Sequence, residues 1–162
     1  MERLVSEALA TVGSAIPATT PEALDIINRV EAEMRTMPQI DLKTEHILHA
    51  GMYARTVRLA ARVALVSVLI KVPTVLTVNG KCRVFAGDSW HDFDGYQVLP
   101  AEAGRKMIYV TFAPTEITMV FPSNAKTVEA AEREFTDDDE MLLSRQCSGD
   151  IVTITGVQSC LE

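Results

Sequence analysis

The sequence has little of what the commoner metal, disulfide and nucleic-acid chemistries require. Its three cysteines, Cys82, Cys147 and Cys160, stand far apart. They form neither the even, patterned set of a disulfide framework nor a zinc knuckle, and they read as free thiols. Histidine is equally scarce, at three residues. A basic excess is missing too: 15 Lys and Arg stand against 22 Asp and Glu, a net charge of −7. That argues against general nucleic-acid binding, in which cations must neutralise phosphates. No apolar run reaches the roughly 20 residues that span a bilayer. The longest, residues 63–78, is broken by Ser67, Lys71, Pro73 and Thr77. The N-terminus, with Glu2 and Arg3 ahead of a modest apolar stretch, lacks the basic head and long apolar centre of a secretory signal. A soluble cytoplasmic protein with no membrane partner is therefore expected. There is no Gly-rich phosphate loop, Ser elbow, HExxH or RNA-binding aromatic signature, which disfavours the enzyme classes tied to them.

What is there suits a globular domain. At 162 residues and 48% hydrophobic composition the chain can bury a core. Thr20-Pro21-Glu22 reads as a helix start, with Thr20 as N-cap and Pro21 at the first helical position. Leu24, Ile27, Val30 and Met34 follow at helical spacing, and Pro38 supplies the stop. A shorter helix is expected around residues 3–11. From Ile40 the pattern turns to short runs rich in Val, Thr, Ile and aromatics, with strands expected over 53–59, 64–70, 74–78, 81–86, 96–99, 107–112 and 116–121. Asn79-Gly80 reads as a two-residue hairpin turn. Pro73 predicts an edge strand or a bulge for its own run. Residues 127–145 regain helical character, and 151–155 alternate like a short strand. The acids Asp137 to Glu140 lack calcium-loop spacing and read as a solvated helix start or loop. The organisation is a helical arm (1–39), a run of short strands that argues for a sandwich or barrel (40–122) and a C-terminal helix with a tail strand (123–162), all in one domain.

Charge is uneven along the chain. Residues 51–110 hold 8 basic and 4 acidic groups, whereas both flanks are acidic, so an anionic small ligand is expected in the centre. There, residues 44–58 hold His46, His49, Tyr53, Arg55 and Arg58. On a strand Tyr53 and Arg55 share one face, continued by Val57, while Arg58 falls on the other. That face offers stacking area and an anion fork, or else Arg55 pairs with a carboxylate across the barrel and Tyr53 hydrogen-bonds at the rim. His46 and His49, three apart, could share a metal on a turn or helix but scarcely on a strand. Gly104-Arg105-Lys106 reads as a basic turn able to nest an anion, or as a solvated turn. Trp90-His91-Asp92 has no nucleophile placed beside it and reads as a loop cap or pocket mouth.

His46, the Gly51-to-Arg55 run, Lys71 and the stretch from Gly95-Tyr96 to Gly104-Arg105-Lys106 follow an order that resembles the small cupin barrels of bacteriophages and prophages. The resemblance covers residues 44–135. It implies a double-stranded β-helix, or jelly-roll, in which a His-Lys pair and a further histidine support a metal or polar site. Here Lys71 is retained, but Ile70 and Thr74 stand where the two histidines are expected and the later strand reads Ile117 to Phe121, so no metal and no cofactor are assigned. The expectation is a non-catalytic, homo-oligomeric barrel that binds an anionic or sugar-like small molecule, with a nucleotide defence signal sequestered in the host cytoplasm as the phage setting. The ligand-binding set is Tyr53, Arg55, Lys71, Arg105, Lys106, His46, His49 and Trp90, and no catalytic residue is assigned. Two alternatives stand beside it: a metal-dependent isomerase or dioxygenase using His46, His49 and His91, and an oligomeric scaffold.

Overall fold

The computed structural model describes residues 15–142 and 149–156. The expected first helix, Cys147 and Cys160 lie outside them. Helix α1 (Pro21–Met34) begins as its sequence dictates, with the Thr20 hydroxyl accepting from the Ala23 amide at 3.2 Å. It buries Ala23 and Ile27. The strands are β1 (Thr44–His49), β2 (Met52–Leu59), β3 (Ala64–Val66), β4 (Thr74–Ala86), β5 (Ser89–Ala101), β6 (Ile108–Thr111), β7 (Thr115–Pro122) and β8 (Ile151–Ile154). Helix α2 (Val128–Phe135) and a 3-10 turn (Asp139–Met141) precede β8. No helix among the described residues is long and apolar enough to cross a membrane.

The protein is mainly β, a single mixed sheet in the order β3-β6-β4-β7-β2-β1-β8, with β5 paired to β4. Strand β4 organises it. One edge of β4 pairs with β5 along its whole length, while the other is shared, Val75–Asn79 with β7 and Cys82–Phe85 with β6. Residues from β2, β3, β4, β6 and β7 line one cavity together with Phe135 of α2, so the sheet curves round it as a half-barrel. Strict in-out alternation places Tyr53, Leu59, Leu76, Val78, Cys82, Val84, Ile117, Met119 and Phe121 in one buried core, which Ala131 and Phe135 complete.

The structure corrects four expectations. Asn79-Gly80 is no hairpin turn, because 74–86 is one continuous strand. The hairpin turns instead at Gly87-Asp88, where Gly87 has φ 67° at the first central position, as a Gly-X turn requires. Gly80 is needed for close approach: a Cβ there would lie 2.5 Å from Thr115 Oγ1 and 2.6 Å from the Pro114 carbonyl. Pro73 marks no edge strand, since the central strand β4 begins just after it. The run 64–70 is strand only to Val66, with Ile70 making an isolated bridge to Arg105. The last expected helix stops at Phe135, where Thr136 turns extended at φ −146°.

Candidate functional site

The sheet places Arg55 and Tyr53 on the inner side of β2, as the period of two requires, and both are buried. Behind them lies β1, a strand the sequence reading did not place. It is tied to β2 by the turn Ala50-Gly51, with φ 49° and 72°. His46 and His49 therefore stand on opposite faces of one strand. His46 is buried, whereas His49 is exposed and bonds the Thr155 hydroxyl. They cannot share a metal, and among the described residues no group of three or more His, Cys, Asp or Glu is arranged to hold one.

A polar relay runs through this wall. Asp150 accepts from His46 Nε2 at 3.2 Å and from the Thr44 amide at 2.9 Å. A carboxylate on Nε2 fixes that nitrogen as the donor, so Nδ1 accepts from the Tyr53 hydroxyl at 2.8 Å. Tyr53 in turn is hydrogen-bonded by Arg55. Burial, opposed by Arg55, pushes the phenol up to about 12. Burial and then Arg55 push His46 below its ordinary value, against the pull of Asp150. The relay ends where Arg55 Nη1 donates to Glu132 Oε1 at 2.8 Å. The arginine lies over the Phe135 ring, 5.8 Å from its centroid. Tyr53, Phe121 and Phe135 pack edge-on and stacked around it, with centroids 5.4–6.3 Å apart.

On the inner side of this wall is a cavity of about 120 Å³. It is walled by aliphatic and aromatic side chains, among them Val57, Leu65, Leu76, Ile117, Met119 and Phe135. Ser67 and Tyr109 add hydroxyls, and Arg55 is the one charged side chain among the lining residues. Leu65, Val66 and Met141 also border a surface depression beside α1.

Of the residues expected to bind a ligand, Arg55 alone lines this cavity. Tyr53 and His46 stand behind it and fix its position. Lys71 is half-exposed and paired with Asp137. Arg105 is buried and makes no anion nest: it donates to the carbonyls of Glu102 at 2.7 Å and Val72 at 3.2 Å and to the Thr74 hydroxyl at 2.6 Å. It thereby clamps the start of β4 to the end of β5. Lys106 is buried against α1, bonding Asn28 at 3.0 Å and Glu31 at 2.5 Å. Hydrogen bonds from Lys106 and Arg35 outweigh burial and hold the Glu31 carboxyl below its ordinary value. Trp90 caps no loop, for it stands exposed within β5 against Phe85, and Asp92 pairs with Arg83 at 2.7 Å. Seven of the eight basic side chains of 51–110 are thus engaged by carboxylates or, for Arg105, by carbonyls and a hydroxyl.

Sequence reasoning missed Glu132 and Asp150. The signal for Glu132 was present: Val128, Ala131, Glu132 and Phe135 fall at helical spacing on one stripe, and an acid inside an apolar stripe needs a buried partner.

No protein-family profile matches the sequence, and no curated protein matches it. Solved structures do. The similarity is to cupin barrels. A cupin superfamily protein from Desulfitobacterium hafniense is 9% identical over 54% of this chain and 83% of its own, with a TM-score of 0.44. A Cupin 2 conserved barrel domain protein from Salinispora arenicola is 14% identical over 61% and 92%, with a TM-score of 0.43. The cupin domain of a transcriptional regulator from Enterobacter cloacae is 11% identical over 51% and 99%, with a TM-score of 0.42. The functional argument rests on the residues of this chain.

Proposed function

We propose that the protein is a binding barrel for a small anion with an apolar body, held with its carboxylate toward Arg55. The observation that carries this reading is the chemistry of the cavity: an apolar chamber with a single guanidinium in its wall. The sequence expectation of an anionic ligand is kept, and its sugar-like and nucleotide forms are narrowed. A polyhydroxylated ring would leave its hydroxyls unpaired against Leu, Ile and Val. A nucleotide exceeds the chamber, since an apolar cavity of roughly 150 Å³ takes a guest the size of benzene. The matching ligand is a monocarboxylate with a short branched aliphatic body, since the cavity of about 120 Å³ is smaller than one that takes benzene. Arg55, held by Glu132 and Tyr53, is the charged side chain in the cavity wall, and a carboxylate is the group whose charge and shape match a guanidinium. The His46–Tyr53 relay keeps that guanidinium in place.

The test is calorimetry and thermal shift with isobutyrate and isovalerate, their amides, a nucleotide and a simple sugar, with and without EDTA. A ligand at 100 times its dissociation constant adds about 2.7 kcal/mol of apparent stability. Carboxylates are expected to bind at least tenfold more tightly than their amides, with no effect of EDTA, and Arg55→Met is expected to abolish the preference. Equal binding of acid and amide, or a preference that survives Arg55→Met, would sink the reading.

A further inference from the structure

Three side chains of the cavity wall carry N–H or O–H groups, Arg55, Ser67 and Tyr109, and two of them have oxygen partners. Arg55 donates to Glu132 and to Tyr53. Ser67 gives its hydroxyl proton to the Val68 carbonyl at 2.9 Å and accepts the Met107 amide at 2.9 Å. Tyr109 differs. It is 3% exposed, and its hydroxyl meets the sulfur of Met107 at 3.6 Å. A thioether is a weak acceptor. Among the described residues no oxygen or nitrogen takes the phenol proton. Burial holds this phenol above its ordinary value, so it faces the cavity as a neutral donor. A buried hydroxyl without a good acceptor costs stability that a phenylalanine in its place would not. Its proton is available to a guest.

Register separates this donor from the cation. Arg55 pairs with Met119, which pairs with Leu76 on the first half of β4. Tyr109 pairs with Val84 on the second half of β4 and with Leu65 of β3. Leu76 and Val84 stand on either side of Gly80 along that strand. A ligand whose carboxylate lies at Arg55 therefore meets Tyr109 with its body, away from the carboxylate. In a chamber of about 120 Å³ the body is short, and its branch at carbon 3 is that far end. The rest of the wall selects the kind of oxygen. A hydroxyl brings a proton that Leu65, Leu76 and Ile117 cannot accept, whereas a carbonyl oxygen only accepts.

We propose that Tyr109 is the specificity residue of the cavity and that the ligand is a short 3-oxo acid, its carboxylate at Arg55 and its keto oxygen accepting from Tyr109. This rests on the Arg55 reading and deepens it. The branched outline is kept, and a carbonyl oxygen replaces one branch methyl.

The test is calorimetry on the full chain with two matched pairs of acids. 3-Oxobutanoate has the outline of isovalerate, and pyruvate that of isobutyrate, each with a carbonyl oxygen in place of a methyl. The wild-type protein is expected to bind 3-oxobutanoate more tightly than isovalerate and to show no such gain for pyruvate over isobutyrate. Tyr109→Phe leaves the keto oxygen unpaired, so the preference for 3-oxobutanoate is expected to fall about tenfold while isovalerate still binds. Equal binding of the first pair, or a preference that Tyr109→Phe leaves in place, would overturn the Tyr109 assignment and leave the Arg55 reading standing. So would an equal gain for pyruvate, which would put the oxygen beside the carboxylate. Loss of isovalerate binding in Tyr109→Phe would make Tyr109 a packing residue and overturn the assignment too. If neither isovalerate nor 3-oxobutanoate binds, both readings fall.

Discussion

Arg55 of the inner strand face and Glu132 of the covering helix meet at 2.8 Å, with Glu132 shut off from solvent and Arg55 nearly so. The pair fastens α2 to the sheet, and it also sets the one charge that reaches the cavity. Each partner taken alone is costly. A buried ion left without its counter-ion keeps its desolvation penalty and loses the attraction that offset it.

Glu132→Ala is accordingly expected to destabilise the protein by about 3–5 kcal/mol. The double variant Arg55→Met with Glu132→Met is expected to recover most of that loss, because apolar groups of similar volume replace both charges. Urea denaturation of the single and double variants checks this. A double variant no more stable than Glu132→Ala would show that the pair is not the source of the cost.

Gly80 offers a prediction that separates steric approach from turn chemistry. Its φ of 146° and the Pro114 carbonyl 2.6 Å from a built Cβ leave no room for a side chain, and a backbone carbonyl cannot swing aside. Gly80→Ala is expected to cost about 2 kcal/mol or more. Gly95→Ala, also at positive φ but with nothing within 4 Å, should cost distinctly less. Equal losses measured by chemical denaturation would contradict the close-approach account.

The relay makes stability depend on pH. Burial and the nearby Arg55 hold His46 below its ordinary value of 6.5 in the folded protein. Just below pH 6.5 the unfolded chain therefore binds more protons at this ring than the native protein does, and stability falls as pH drops through that region. The urea midpoint should decline between about pH 7 and pH 5.5. His46→Gln should lower stability at neutral pH and flatten that decline. An unchanged slope in the variant would place the dependence elsewhere.

Much of the fold was legible. The Thr20-Pro21 start of α1, the inward pairing of Tyr53 with Arg55, the outward Arg58 and the strands of the central region follow from capping chemistry and a period of two. The reading that Arg55 pairs with a carboxylate across the barrel and Tyr53 hydrogen-bonds at the rim was open at the sequence level; the structure gives both bonds but places them elsewhere, with Glu132 on the covering helix and Tyr53 bonded to His46 in the core. Asn79-Gly80 misled because a glycine that permits a turn and a glycine that permits close backbone approach look alike in sequence. The basic groups at Arg105 and Lys106 misled because local charge says nothing about which carbonyls or carboxylates fold back on it.

The sequence by itself determined the mainly β character, the alternation that gives each strand an inner and an outer face, and the residue types placed on each. These are local properties, set by backbone sterics and side-chain periodicity within a few residues. Only the tertiary structure decided that Arg55 would be the cation at the cavity while Arg105 and Lys106 became internal clamps. It also put Asp150 and Glu132, more than 75 residues away from their partners, at the two ends of one relay. Pairing across such separations depends on strand register and on where a covering helix lands, and no short stretch of the chain contains either.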